Sequence, residues 1–295
     1  MNITLDNFDD FISGSYDYNK ENKTHTGFLI RNSNADITGG KTTIDDIDVL
    51  KDYPNLDTLT IMGLSQDTFE YFIHKYGYQL EAIRFFKNKF VEDLSLLGTL
   101  PNLEFVYFFH NQRVTQLWDM RKNYSLKGLS ISDFSRLNSI KNIETAPNIE
   151  YFEIGDAIWS TSIIDTFNCL SNTNIKHLSF SGKKIIDEDL SFITEMKALK
   201  VFDFATNLYP TEKVAWIMAN RPDISGFSLC PTREYMGYNN ETNKCDIPSL
   251  FIVGKRKPSL TIGKDDNRIR KYIQSFDSLV EKYRGMSYIE AFSDK

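Results

Sequence analysis

From residue 55 onward the apolar positions follow one short pattern, apolar-x-x-apolar-x-apolar, and that pattern keeps returning. NLDTLTI at 55–61 is followed by QLEAIRF (79–85), NLEFVYF (102–108), SLKGLSI (125–131), NIEYFEI (148–154), NIKHLSF (174–180), ALKVFDF (198–204), DISGFSL (223–229) and DIPSLFI (246–252). The first apolar residues are Leu56, Leu80, Leu103, Leu126, Ile149, Ile175, Leu199, Ile224 and Ile247, in steps of 24, 23, 23, 23, 26, 24, 25 and 23. Alternation inside each unit predicts a short strand that buries one side only. Nine units at this period predict a stack of coils, each too small to bury its own core without neighbours.

The return segments need a second apolar edge. Val91, Leu94, Leu97 and Leu100 follow the second strand, and Ile185, Ile186, Leu190 and Ile193 follow the sixth. Their spacing predicts short helical or 3₁₀ turns on the side opposite the strands. Pro54, Pro101, Pro147 and Pro222 stand just before the next strand and end the return. A stack exposes its core at both ends, so capping segments are expected. Residues 1–24 are acidic, polar and aromatic, with Phe8, Phe11, Tyr16 and Tyr18, and GFLIRN is expected to add an irregular first strand through Phe28 and Ile30. At the other end SLFIVGKRKPSLTIG reads as a last strand plus a hairpin partner or one further coil. Ile269, Ile273, Phe276, Leu279, Val280 and Tyr283 recur at helical spacing, predicting a helix over 266–284.

The pattern and period resemble the leucine-rich repeat, whose unit begins LxxLxLxxN, over residues 56–252. Asn88, Asn111 and Asn207 occupy the asparagine position, while Leu64, Phe134, Ala157, Lys183, Thr232 and Lys255 replace it in the other units. The resemblance implies an α/β solenoid, a right-handed horseshoe with a parallel β-sheet on the concave face and helical or 3₁₀ convex returns. In the family the asparagine bonds backbone groups of the turn, so the ladder is expected to be broken here. The expected organisation is an N-terminal cap and irregular first repeat at 1–54, repeats at 55–262, and a capping helix and tail at 263–295. Some relatives carry a cysteine-dependent ligase domain; with only the short caps outside the repeats, none is expected here. Internalin-type relatives use the concave face for host proteins, which implies a bacterial adaptor, effector or inhibitor-like protein.

The third, fifth and seventh positions of each unit face away from the core. Most are small or polar, but Phe105, Tyr107 and Phe109 are not. With Phe86 and Tyr151 they form an aromatic patch, floored by Gly128, Ser130 and Ser132 as though a protruding group fits there, and ringed by Arg84, Glu153, His177 and Asp203. An apolar centre with aromatic and Arg side chains and a polar rim is the composition of protein-binding hot spots. These nine side chains are the expected partner contacts; His110 beside them offers a pH-sensitive contact, with a simply solvated side chain as the plainer reading. Two other readings keep the patch from a partner: the N-terminal segment folds over it as a lid or the chain self-associates, or the register slips. If the patch is free, trimming a central aromatic should barely change stability.

Composition narrows the function further. The chain has 295 residues, 41% of them hydrophobic, and a net charge of -6, so no global positive field draws it to nucleic acid or anionic lipid. Lys255, Arg256 and Lys257 form a local basic turn that could hold phosphates; a solvated loop is the plainer reading. The start, MNITLDNFDDFISG, lacks a signal-peptide pattern and no long apolar run occurs, so a cytoplasmic location off the membrane is expected. Cys169, Cys230 and Cys245 read as thiols, and four scattered histidines give no metal-ligand spacing. No nucleotide-binding or hydrolase motif is present. Glu153 and Asp203 lie two coils apart, about 10 Å, but an open sheet offers no enclosed sugar cleft. The expectation is a non-enzymatic protein, without cofactor, that recognises another protein, with self-association or nucleic-acid binding as alternatives.

Overall fold

The computed structural model describes residues 3–14, 41–156 and 161–293, and the backbone of 28–30. Tyr16 and Tyr18 lie outside the described residues. The architecture is α/β, built on an eight-stranded parallel sheet in the order β1-β2-β3-β4-β5-β6-β8-β10. Its strands are β1 (Phe28–Ile30), β2 (Thr58–Met62), β3 (Ala82–Phe86), β4 (Phe105–Asn111), β5 (Gly128–Phe134), β6 (Tyr151–Gly155), β8 (His177–Ser181) and β10 (Val201–Phe204). The register follows the sequence period: Leu59, Ile83, Val106, Leu129, Phe152, Leu178 and Phe202 align across the sheet and point into one core.

Ahead of and between the strands run helices α1 (Phe8–Ser13), α2 (Ile44–Asp48), α3 (Gln66–Tyr76), α4 (Phe192–Glu195) and α5 (Thr211–Asn220), and several 3₁₀ turns such as Ser95–Thr99 and Lys141–Thr145. Two-residue strands β7 (Ile163–Ile164) and β9 (Lys184–Ile185) pair with each other on a separate small sheet. Val91, Leu94, Leu97 and Leu100 are buried, as are Ile185, Leu190 and Ile193. Ile186 is the exception at 56% exposed, because it directly follows β9, whose alternation turns it to solvent.

Asparagine does more here than one position of the repeat suggests. Asn88 accepts from the Leu64 amide at 2.8 Å and donates to the Ile61 carbonyl at 3.1 Å. Asn111 donates to Asn88 O and Val91 O and accepts from the amides of Arg113 and Val114. Asn123, outside the repeat consensus, is fully buried, donates to the carbonyls of Leu97 and Leu100 at 2.9 and 3.0 Å, and accepts from the Trp118 indole at 2.9 Å. Nearer solvent, Asn102, Asn148 and Asn174 each donate to a carbonyl of the coil before. Side-chain amides thus satisfy carbonyls that short returns leave unpaired.

The last two units depart from the repeat. At the eighth, the chain makes a single bridge, Val201 to Ser225, and then lies along the edge of β10. Ser225 exchanges backbone bonds with Phe202 and Lys200, and the Ser228 hydroxyl donates to Phe204 O. Gly226 permits this approach: a Cβ there would meet Phe202 O at 2.0 Å. The ninth unit, DIPSLFI, is not a coil of the parallel sheet. It lies in β12 (Lys244–Ile252), the middle of an antiparallel sheet with β11 (Thr232–Asn239) and β13 (Ser259–Thr261). Its apolar alternation describes any half-buried strand, and the turn at 240–243, with Asn243 at φ 52°, sends the chain back on itself. Of the two forms open for 249–263, the hairpin is the one formed. Beyond it α6 (Asp266–Tyr283) packs on α5 through Phe276 and Tyr283, followed by α7 (Tyr288–Phe292).

Asn123 provides a test of this bonding. Replacing it with Ala leaves buried carbonyls and an indole N–H without partners, so Asn123→Ala should cost about 3 kcal/mol in urea unfolding, whereas Asn102→Ala, at an exposed site, should cost under about 1 kcal/mol. Equal losses would contradict the assignment.

Candidate functional site: the front face of the parallel sheet

The sheet face opposite the core is built by rows of paired residues. One row runs Ala82, Phe105, Gly128, Tyr151, His177, Val201; the next Arg84, Tyr107, Ser130, Glu153, Ser179, Asp203; the third Phe86, Phe109, Ser132, Gly155, Ser181. All nine expected contact residues therefore share one face, without a register slip. Phe86 stacks on Phe109 at 4.6 Å, and the Arg84 guanidinium sits 4.9 Å from the Phe86 ring and 5.0 Å from the Tyr107 ring.

The centre of the patch is covered. Residues 3–14 lie across it, and Ile3, Phe8 and Phe11 join Ala82, Phe105, Tyr107 and Tyr151 in a second apolar cluster. Phe8 is fully buried, 5.1 Å from Phe105 and 5.1 Å edge-on from Tyr151. Gly128 makes the seat: a Cβ there would come within 2.9 Å of the Phe8 ring and 2.8 Å of Phe105. The Tyr151 hydroxyl donates to Asp9 at 2.9 Å, and Arg84 donates to Ile12 O, at 3.0 Å from its nearer nitrogen. A cation there also complements the negative end of α1. The small floor of Gly128, Ser130 and Ser132 does receive a protruding group, and that group belongs to the chain itself.

This corrects the picture of a free aromatic patch. Phe105 is 1% exposed, and Tyr107 and Tyr151 are each 6% exposed, so trimming them removes packing as well as surface. Phe86, Phe109, Arg84, Glu153, His177 and Asp203 are half-buried. Spacing of Phe8, Phe11 and Ile12 at i, i+3 and i+4, with Ile3 and Leu5 ahead of them, is the sequence signal of the covering element. His110 is not solvated either: its Nδ1 lies 2.9 Å from Asp133, whose side chain is wholly buried, both residues having left-handed backbone at φ 60° and 64°.

Toward β10 the face stays more open. The His177 ring packs at a tilt of 34° against Tyr151, 4.5 Å between centroids, and lies 3.5 Å from Asp203, with the His177 and Asp203 side chains 30% and 32% exposed. Burial pushes the Asp203 carboxyl up, but His177 and the Phe227 backbone amide together outweigh it and hold it below the ordinary value. Phe227, 44% exposed, lies under the Arg233 guanidinium at 4.0 Å, and Tyr235 stacks on Phe251 at 3.9 Å. This second aromatic and arginine group was hidden from sequence reasoning, because residues 226–253 were placed in coils rather than in an antiparallel sheet.

Glu153 sits at the centre of the electrostatics. Burial pushes its carboxyl above 4.5; the Ser130 hydroxyl, donating at 2.6 Å, opposes this, while Asp9 and Asp203 add to the rise and His177 opposes it. Burial likewise raises Tyr151 and Tyr107. The basic turn is partly neutralised, since Lys255 pairs with Glu188, and Lys257 lies 5.5 Å from the Tyr272 ring. The three cysteines are free thiols. Among the described residues no His, Cys, Asp and Glu cluster suits a metal, and no helix is long and apolar enough to cross a membrane.

No family model matches the chain, and no curated protein matches it significantly. Among solved structures it is similar to an internalin, InlF, from Listeria monocytogenes str. 4b F2365, at 17% identity and a TM-score of 0.49. That match covers 65% of this chain and 52% of the internalin, so the chain spans about half of that protein's length.

The raised Glu153 carboxyl fixes the sign of a pH effect. Its proton is held more tightly in the folded state, so the associated stability is present below pH 4.5 and lost as pH rises through the raised folded value. Glu153→Gln keeps a neutral side chain and should raise the urea midpoint at pH 7, the gain over the parent shrinking as the pH falls to 4.5 and below. A lower or unchanged midpoint at pH 7 would refute this.

Proposed function

We propose that the chain is a non-catalytic protein-recognition module: a right-handed leucine-rich-repeat solenoid, capped at both ends, whose concave surface is the front face described above. Arg84, Phe86, Phe105, Tyr107, Phe109, Tyr151, Glu153, His177 and Asp203 form its partner surface. The observation that carries this reading is that an amphipathic segment already sits on that surface, with Phe8 in a slot of aromatic walls and a glycine floor. The chemistry of the face is therefore that of a peptide-binding surface, and its backbone is fixed by the sheet before any partner arrives, which limits the ordering cost of binding. Aromatic residues supply apolar burial, while Arg84, Glu153 and Asp203 set orientation. An adaptor, effector or inhibitor-like role in the cytoplasm fits this reading. The neutralising contact between Lys255 and Glu188 favours it over nucleic-acid binding through the basic turn.

The test uses half-buried residues, so that folding is spared. Wild type and a Phe86→Ser, Phe109→Ser variant are used as bait in a lysate of the source organism, and a captured protein is then titrated against both. Loss of about 2 kcal/mol, or about 30-fold in Kd, is expected for the variant. Equal affinity for both, or a partner lost only when Lys255 and Lys257 are neutralised, would overturn the assignment of the face.

A further inference from the structure

We infer that the front face is a groove for a short amphipathic helix bearing aromatic residues at i and i+3 and a carboxylate at i+1, and that residues 3–14 hold it in cis until such a helix from a partner protein replaces them. This rests on the protein-recognition reading above and names the partner's chemistry. Each element of the cis contact reads a feature that any such helix presents. Phe8 fills the slot over Gly128 between Phe105 and Tyr151, and Phe11 packs beside it. The Tyr151 hydroxyl binds the carboxylate of the next residue, Asp9. Arg84 binds the carbonyl of Ile12 in the last turn, which is a backbone group and so independent of sequence.

Two further features separate this arrangement from a fixed structural cover. First, the groove outruns its occupant. The cis helix has six residues and sits over β3 to β6, whereas His177 on β8, Asp203 on β10 and Phe227 beyond it continue the face and stay 30%, 32% and 44% exposed. A longer helix, carrying a basic or hydrogen-bonding group toward Asp203, would cover both parts. Second, the length of sequence that joins the segment to β1 is ample. The thirteen residues of sequence between Gly14 and Phe28 amount to up to about 45 Å of extended chain, so their number alone does not tie residues 3–14 to β1.

The experiment uses the full chain and a fluorescein-labelled peptide of residues 3–14, ITLDNFDDFISG, followed by anisotropy. Phe8→Ser, Phe11→Ser in the full chain weakens the cis segment. This variant should bind the peptide at least ten-fold more tightly than wild type, should ignore the same peptide carrying both serines, and should lose the peptide when Arg84→Glu is added. Equal binding by wild type and variant, or none by a variant whose circular dichroism is unchanged, overturns the inference. Phe11→Ser alone is the milder form and should show the same order; if both variants unfold, the segment is part of the fold and the inference is wrong. The lysate capture above keeps the two claims apart, because a partner lost with Phe86→Ser, Phe109→Ser alongside a failed peptide experiment removes only the helix groove.

Discussion

The in-register parallel ladder is the constraint on which everything else depends. Each strand has five to seven residues in β2 to β6, too few to be stable alone, and its backbone groups are satisfied only by the strands on either side. The same dependence extends into the returns, where Asn88, Asn111 and Asn123 each bond carbonyls that belong to the preceding coil. A fold of this kind has its difficulties wherever a neighbour is missing. At β10 the missing neighbour is supplied by 225–228, which lie on the free edge through backbone bonds and the Ser228 hydroxyl. The antiparallel sheet and the α5 and α6 pair follow, and Val253, Phe276 and Tyr283 join the same core.

The ladder also dictates the front face. Side chains in a row across parallel strands sit directly above one another, so an aromatic at one position must be matched by something small or flat at the next. Phe86 and Phe109 are matched by stacking. Phe105 and Tyr151 flank Gly128, which leaves a gap one ring wide, and Phe8 occupies it. The covered face also holds Glu153, whose carboxyl is raised first by burial and further by the charges of Asp9 on the segment and Asp203 on β10.

Much of this was legible in the sequence because the period determines which residues can be neighbours. The rows of the front face follow from counting 23 or 24 residues, and they match the observed pairing from β2 to β5. The floor of small residues between aromatics was likewise readable. Burial was not, because it depends on the path of residues 3–14, and a sequence spacing cannot say whether an amphipathic turn packs on its own sheet or elsewhere. The ninth unit failed for a different reason: apolar alternation is shared by parallel and antiparallel strands, and only the turn before Lys244 distinguishes them. Ile186 and His110 failed locally. One is turned outward after a two-residue strand, and the other is drawn to the wholly buried carboxylate of Asp133 in the next unit.

The central claim is that the front face is a binding surface whose cover opens independently of the fold beneath it. Hydrogen exchange of the full chain, followed by mass spectrometry, reads this directly, since it separates local opening from global unfolding. The account predicts that amides of residues 8–13 exchange more slowly than an unstructured peptide yet at least a hundred-fold faster than those of β4 and β5, by about 3 kcal/mol of opening free energy. Exchange of residues 8–13 in step with β4 and β5 would make the segment an integral layer of the fold and contradict the claim.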